Sequence, residues 1–104
     1  MILRGEVWDA DLGPIVRPVV IVTREQAIPV LSRLACVAVT SKVHGHPAAV
    51  ELSHSHGVQE PSFANCDWLV TVAKDRLLHR IGELDAVTIR RLDTALVVAL
   101  GLDR

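Results

Sequence analysis

The chain has 104 residues, half of them hydrophobic, and a formal net charge of −1. That length points to one domain over residues 1–104 with an ordinary core, and the hydrophobic content excludes a disordered chain. The near-neutral charge excludes a global polyanion-binding signature, so a site for nucleic acid would have to be a local cluster.

Only Trp8, Phe63 and Trp68 are aromatic, so Val, Leu, Ala and Ile must fill the core. Cys36 and Cys66 are too few for a disulfide framework, and their apolar, strand-like settings read as buried free thiols. No basic-apolar-small leader opens the chain, and no apolar run approaches the roughly 20 residues that cross a bilayer. A soluble, cytoplasmic protein is expected.

In chain order, Gly5 to Leu12 alternates Trp8, Ala10 and Leu12 with Asp9 and Asp11, the period of a half-buried strand. Gly13-Pro14 marks a tight turn, so the next run forms a hairpin with the first. That run, Arg17-Pro18-Val19-Val20-Ile21-Val22-Thr23, is apolar, β-branched and of strand length. It reads as buried on both faces, or on one face plus a subunit contact. Residues 24–34, with Pro29 and mixed charge, form a connection with at most one helical turn. Strands follow at Ala35–Ser41 and, after a polar bend, at Ala48–Leu52. A loop then leads to the last long strand, Phe63 to Val72, in which Asn65 and Asp67 share a face. Beyond Lys74-Asp75-Arg76-Leu77 a short helix or turn is expected. Asp85 is placed as the N-cap of a closing helix with Gly101 as its C′ residue. Ile89, Leu92, Leu96, Ala99 and Leu100 make its apolar stripe, opposite Arg90, Arg91 and Thr94. Five or so short strands and a terminal helix indicate a small, strongly bent antiparallel barrel. Val97 and Val98 make the helix end apolar nearly all round, which suggests a homodimer contact.

Several residue sets bear on chemistry. His44-x-His46 and His54-x-His56 each offer two imidazoles, but neither cysteine nor a closely spaced acid joins them, so no metal site is expected. Ser62 lacks a Gly-x-Ser-x-Gly setting, and there is no glycine-rich phosphate loop. Three polar positions remain at strand ends: Arg17, the Thr40-Ser41 pair, and the Asn65/Asp67 face. Arg17 is either a directed phosphate clamp or a hydrated end cap. Thr40 is either part of a site shared with these positions or an ordinary β-former, and Asp67 either part of that site or the partner of a nearby Lys or Arg.

Arg4-Gly5-Glu6-Val7-Trp8, then Arg17-Pro18-Val19-Val20-Ile21-Val22-Thr23, resembles the opening of MazF/PemK-type toxins. The likeness continues through Val37-Ala38-Val39-Thr40-Ser41, Pro61-Ser62-Phe63-Ala64-Asn65-Cys66-Asp67, Arg76-Leu77 with Ile81-Gly82-Glu83-Leu84, and the closing Leu92 to Leu102. It spans essentially the whole chain. It implies an SH3-like barrel with a C-terminal helix, acting as a homodimer. It also implies a sequence-specific, ribosome-independent endoribonuclease, the toxin half of a toxin–antitoxin pair. Such an enzyme uses the 2′-hydroxyl of single-stranded RNA as nucleophile and leaves 2′,3′-cyclic phosphate and 5′-hydroxyl ends without a metal or other cofactor.

By the same resemblance Arg17 and Thr40 are the catalytic pair, and Asp67 is the weaker choice for general base. Ser41, Lys42, Ser62, Asn65, Arg24, Lys74 and Arg76 are the expected substrate contacts. A cognate antitoxin with an acidic, apolar tail is the expected protein partner, lying in the RNA groove. The first loop is short, as in a shorter-looped branch, and Asn65 stands where PemK-like members carry Arg. The gyrase poison CcdB shares the barrel, so a non-enzymatic toxin is the alternative reading.

Overall fold

The computed structural model describes residues 1–42 and 45–103. Six strands form one antiparallel sheet: β1 (Glu6–Asp11), β2 (Val16–Ile21), β3 (Arg33–Thr40), β4 (Ala49–Leu52), β5 (Ser62–Ala73) and β6 (Leu77–Glu83), followed by helix α1 (Ala86–Ala99). The strand order is β4-β5-β3-β2-β1-β6. Among the described residues no ladder joins the outer strands β4 and β6, so the sheet is bent but not closed by hydrogen bonds.

The β1–β2 hairpin turns where Gly13 and Pro14 predict. Gly13 adopts φ +99°, its N–H donates to Asp11 Oδ1 at 2.9 Å, and Leu12 N–H bonds Ile15 O at 2.9 Å. In β2, Val19, Val20 and Ile21 are all fully buried. Val20 faces one apolar cluster with Val7, Val37, Leu52 and the helix residues Leu92 and Ala95. Val19 and Ile21 face a second, with Ala10, Leu34, Cys36 and Val72. The strand is thus buried on both faces, which is why its sequence shows no polar alternation.

Leu77 to Glu83 is a sixth strand rather than a continuation of the short turn, which is confined to Lys74–Arg76. It is an edge strand whose Leu78, His79 and Arg80 are all exposed and whose pairing with β1 is interrupted at two points. Its sequence therefore lacks the period-2 signal. The helix starts at the Asp85 cap, whose Oδ2 accepts from Thr88 N–H at 3.4 Å. It ends in a Schellman motif, with Gly101 at φ +69° and Leu102 N–H bonded to Val97 O at 2.9 Å. Leu92 and Ala95 are buried, with Ile89, Leu96 and Ala99 packed against the same cluster. Leu100 departs from its expected place on that stripe and is 54% exposed. It is the C-cap, where the backbone has already left the helical path.

The Arg4 to Trp8 motif is a structural knot. Arg4 reaches Val22 O at 3.1 Å and Asp93 at 2.8 Å, tying the N-terminus to β2 and the helix. Gly5 packs so close to the helix that a Cβ there would lie 2.9 Å from Ile89 Cδ1. The buried Glu6 carboxylate accepts from Leu3 N–H (3.1 Å), Trp8 Nε1–H (3.0 Å) and Arg80 Nε–H (2.9 Å).

Candidate functional site

The site lies where β2 begins and β3 ends. The β2–β3 ladder ends with Val19 opposite Ala38, and its register continued by two residues would put Arg17 opposite Thr40. Arg17 is half-buried; its Nη1 donates to Val39 O at 3.1 Å, and its Cζ sits 5.0 Å from the centroid of the Trp68 ring. A carbonyl and an aromatic face therefore fix the guanidinium. Arg17 Nε and Thr40 Oγ1 are both buried and have no hydrogen-bond partner among the described residues. Leaving such groups unpaired costs about 1–3 kcal/mol each, and native proteins rarely tolerate it without a use. A cationic N–H and a hydroxyl, unpaired on facing strands, suit a tetrahedral oxyanion.

Trp68 reaches Arg17 through an irregularity in β5. Asn65 pairs with Ala38 and Leu69 with Val37, so Cys66, Asp67 and Trp68 have no opposite residue on β3. The Cys66 side chain is buried and its N–H bonds Ala48 O at 2.8 Å. Asp67 and Asn65 do share an outward setting, Asp67 N–H donating to Asn65 Oδ1 at 3.1 Å. The Asp67 carboxylate faces His46 Nε2 at 3.7 Å and makes no bond to Arg17 or Thr40 among the described residues. Ser41 and Lys42 follow Thr40 directly and are exposed. Ser62 stands where the β3–β5 ladder would continue past the Thr40–Phe63 pair, though its hydroxyl is held by Gln59 O.

The outlying cations divide. Arg76 pairs with Asp11 at 3.4 Å, and both line a cleft of about 400 Å³ with Gly13, Thr71 and Arg33, between the hairpin tip and the second half of β5. Arg33 was not singled out by sequence; only its charge at a strand start marks it. Arg24 lies beyond the far end of β2, on the order of 20 Å along that strand from Arg17. Lys74 follows Ala73, which pairs with Arg33 at the end of β3 remote from Thr40. Neither is brought to the Arg17–Thr40 mouth within one chain.

The histidine pair 54/56 separates. His54 lies 3.3 Å from Glu60, whereas buried His56 bonds Asp85 Oδ1 through Nε2 at 2.8 Å and accepts from Ser53 N–H through Nδ1 at 3.1 Å. Hydrogen bonds from the Thr88 hydroxyl and then from His56 hold the Asp85 carboxyl well below its usual range. This is a latch between the turn after β4 and the helix N-terminus. Among the described residues no three His, Cys, Asp or Glu side chains converge as metal ligands; His44 lies outside those residues. Burial pushes the Cys36 thiol up to about 12, and burial with the neighbouring Asp67 charge pushes Cys66 up to about 11. Neither is a thiolate nucleophile at neutral pH.

Fold and site together describe a small β protein with a buried arginine N–H and a buried hydroxyl, on neighbouring strand ends, that have no partner among the described residues. Residues 3–100 match the family described as PemK-like, MazF-like toxin of type II toxin-antitoxin system, and the chain belongs to that family. It is 35% identical over 103 residues to a probable endoribonuclease, MazF5, of Mycobacterium tuberculosis, covering 97% of this chain and 94% of that protein. It is 34% identical to the endoribonuclease MazF9 of the same species, covering 98% of each. A solved mycobacterial endoribonuclease in complex with its cognate antitoxin superposes with a TM-score of 0.92 at 30% identity, over 100% of this chain and 99% of that one. No described helix is long and apolar enough to cross a membrane.

Proposed function

We propose that this chain is an endoribonuclease toxin that cuts single-stranded RNA at a phosphate held by Arg17 and Thr40. The observation that carries the reading is that the buried Arg17 Nε–H and Thr40 hydroxyl, on neighbouring strand ends, have no partner among the described residues. In the reaction the 2′-oxygen bonds to the adjacent phosphorus and the bond from phosphorus to the 5′-oxygen breaks. The 2′-proton passes to a base and a proton is delivered to the leaving 5′-oxygen. The non-bridging oxygens gain charge in the transition state, and Arg17, already oriented by Val39 O and Trp68, meets that charge without reorganising. Thr40 holds the phosphate in line. Asp67, Ser41, Lys42, Ser62 and Asn65 border this mouth in sequence or on the ladder, with Asp67 the choice for base. The cleft with Arg76 and Arg33, at the end of β3 remote from Thr40, is the cationic surface for the strand beyond the scissile phosphate.

The proposed assembly is a homodimer joined partly through the exposed Val97, Leu100 and Leu102, with an acidic antitoxin tail competing for the RNA groove. An SH3-like barrel is the proposed closed form of the sheet. The Gly57–Gly82 contact supports it, because a Cβ on either glycine would lie 2.0 Å from the other segment's backbone carbonyl oxygen.

Purified protein incubated with a long RNA in EDTA is expected to yield 2′,3′-cyclic-phosphate ends, and Arg17→Ala to cut at least about 100-fold more slowly. Equal cutting by Arg17→Ala, or intact RNA at every wild-type concentration, would overturn the reading. Growth arrest with intact RNA would indicate a protein target instead.

A further inference from the structure

We propose that Trp68 is a nucleobase-stacking subsite beside the Arg17–Thr40 pair, its indole also holding the Arg17 guanidinium in position. The inference rests on the RNA-cleaving reading above and adds to it a contact with a base rather than a phosphate.

The first observation is placement. Trp68 is the last of the β5 residues that face nothing on β3, so it is free of the pairing that fixes its neighbours. Cys66 anchors the excursion in the core at 1% exposure, and the chain then turns outward through Asp67 to bring the indole to Arg17. The second is accessibility. Trp68 is 37% exposed and Leu69 beside it 41%, although the chain has only two tryptophans and one phenylalanine to spend on its core. Trp8 is by contrast tied down, its Nε1–H donating to the buried Glu6. The Trp68 indole N–H has no hydrogen-bond partner among the described residues. An indole left half in water forgoes burial that the core of so small a protein would use.

The third observation is the pairing with charge. The Arg17 Cζ lies 5.0 Å from the Trp68 centroid, so one cation touches both the ring and the proposed phosphate position. A single strand offers a phosphate and an unstacked base within one nucleotide. Proteins that read single-stranded RNA take the base on an aromatic face and the phosphate on a nearby cation. Trp68 and Arg17 present that combination at one point of the surface. The ligand class is a nucleobase flanking the scissile phosphate, bound through its π-face and hence with little demand on its hydrogen-bonding edge.

The test uses the full chain in a Trp8→Phe background, so that emission reports Trp68 alone. The probe is a 2′-O-methyl oligonucleotide carrying a distant dye; it binds but cannot be cut, and its anisotropy gives occupancy independently. Saturable quenching of Trp68 that tracks occupancy is expected. Trp68→Leu, which keeps apolar bulk and removes the aromatic face, is expected to weaken oligonucleotide binding about tenfold and to raise KM more than it lowers kcat. Trp68→Phe is expected to recover most of that affinity. Unquenched emission at full occupancy, or wild-type affinity in Trp68→Leu, overturns the subsite. So does conversion of the Trp68→Leu protein to a different oligomer while the Trp68 emission of its parent is not quenched by RNA, which would assign the indole to a subunit contact. Quenching without any RNA cleavage by the wild type would leave the subsite standing and remove the nuclease reading. Cleavage without quenching would do the reverse, and no binding at all overturns both.

Discussion

Thr40 keeps a buried hydroxyl without a partner among the described residues, which is a standing cost to stability. Thr40→Val, which swaps that hydroxyl for a methyl of similar size, is expected to raise unfolding stability by about 1 kcal/mol while cutting RNA cleavage at least about tenfold. Urea midpoints and a fluorogenic RNA assay read the two effects together. A variant that loses both stability and activity would mean that the hydroxyl has a structural partner and is not held for a ligand. Arg17 differs in kind, because Val39 O and Trp68 hold part of it, while its buried Nε has no partner among the described residues. Its presence at a strand mouth was legible from the Arg17-Pro18 step before an apolar run. Its aromatic neighbour was not, since Trp68 is 51 positions away by the numbering (68 minus 17) and arrives only through an interrupted ladder.

At the scale of elements, local chemistry announced most of the fold. Gly13-Pro14 gave the hairpin, the β-branched run gave β2, and Asp85 and Gly101 bracketed the helix. The element that escaped, β6, carries its information in its partners. Gly82 sits under His56, and a Cβ there would lie 2.0 Å from His56 O. Gly82→Ala is therefore expected to lose more than about 2 kcal/mol in chemical denaturation; a smaller loss would show that the turn after β4 can lift off β6. The helix cap makes a pH prediction. Asp85 has a depressed folded-state pKa, so its stabilisation is complete above the ordinary aspartate value of about 4 and fades as pH falls towards the folded-state value. Thermal midpoints of Asp85→Ala and wild type are expected to differ most above about pH 5 and to converge in stronger acid. A gap that widens on acidification would contradict this origin.

Over the whole molecule, a net charge of −1 gives no net attraction for RNA; on the proposed reading, attraction comes from local cations, Arg17 and Lys42 at the mouth and Arg76 and Arg33 in the separate cleft. If about three phosphates are neutralised, affinity for an uncleavable single strand is expected to fall about twentyfold between 50 and 200 mM salt. Charge reversal at Lys42 and Arg76 together should flatten that slope, and an unchanged slope would place the strand elsewhere. That Arg24 lies beyond the far end of β2, and Arg33 and Lys74 at the end of β3 remote from Thr40, could not be read from sequence, where they look equivalent to Lys42. Only the register of a bent sheet separates them.

The excursion in β5 has a consequence for how such proteins diversify. The ladder is indexed independently on either side of Cys66 to Trp68, and the buried Cys66, its N–H bonded to Ala48 O, anchors the intervening backbone. Asp67 and Trp68 are thereby released from pairing with β3. Their side chains can be exchanged over evolutionary time with little charge to folding, while whatever they touch on a bound strand changes at once. That turns one irregular stretch of strand into an interchangeable cassette, in which preference for a ligand is rewritten without renegotiating the scaffold.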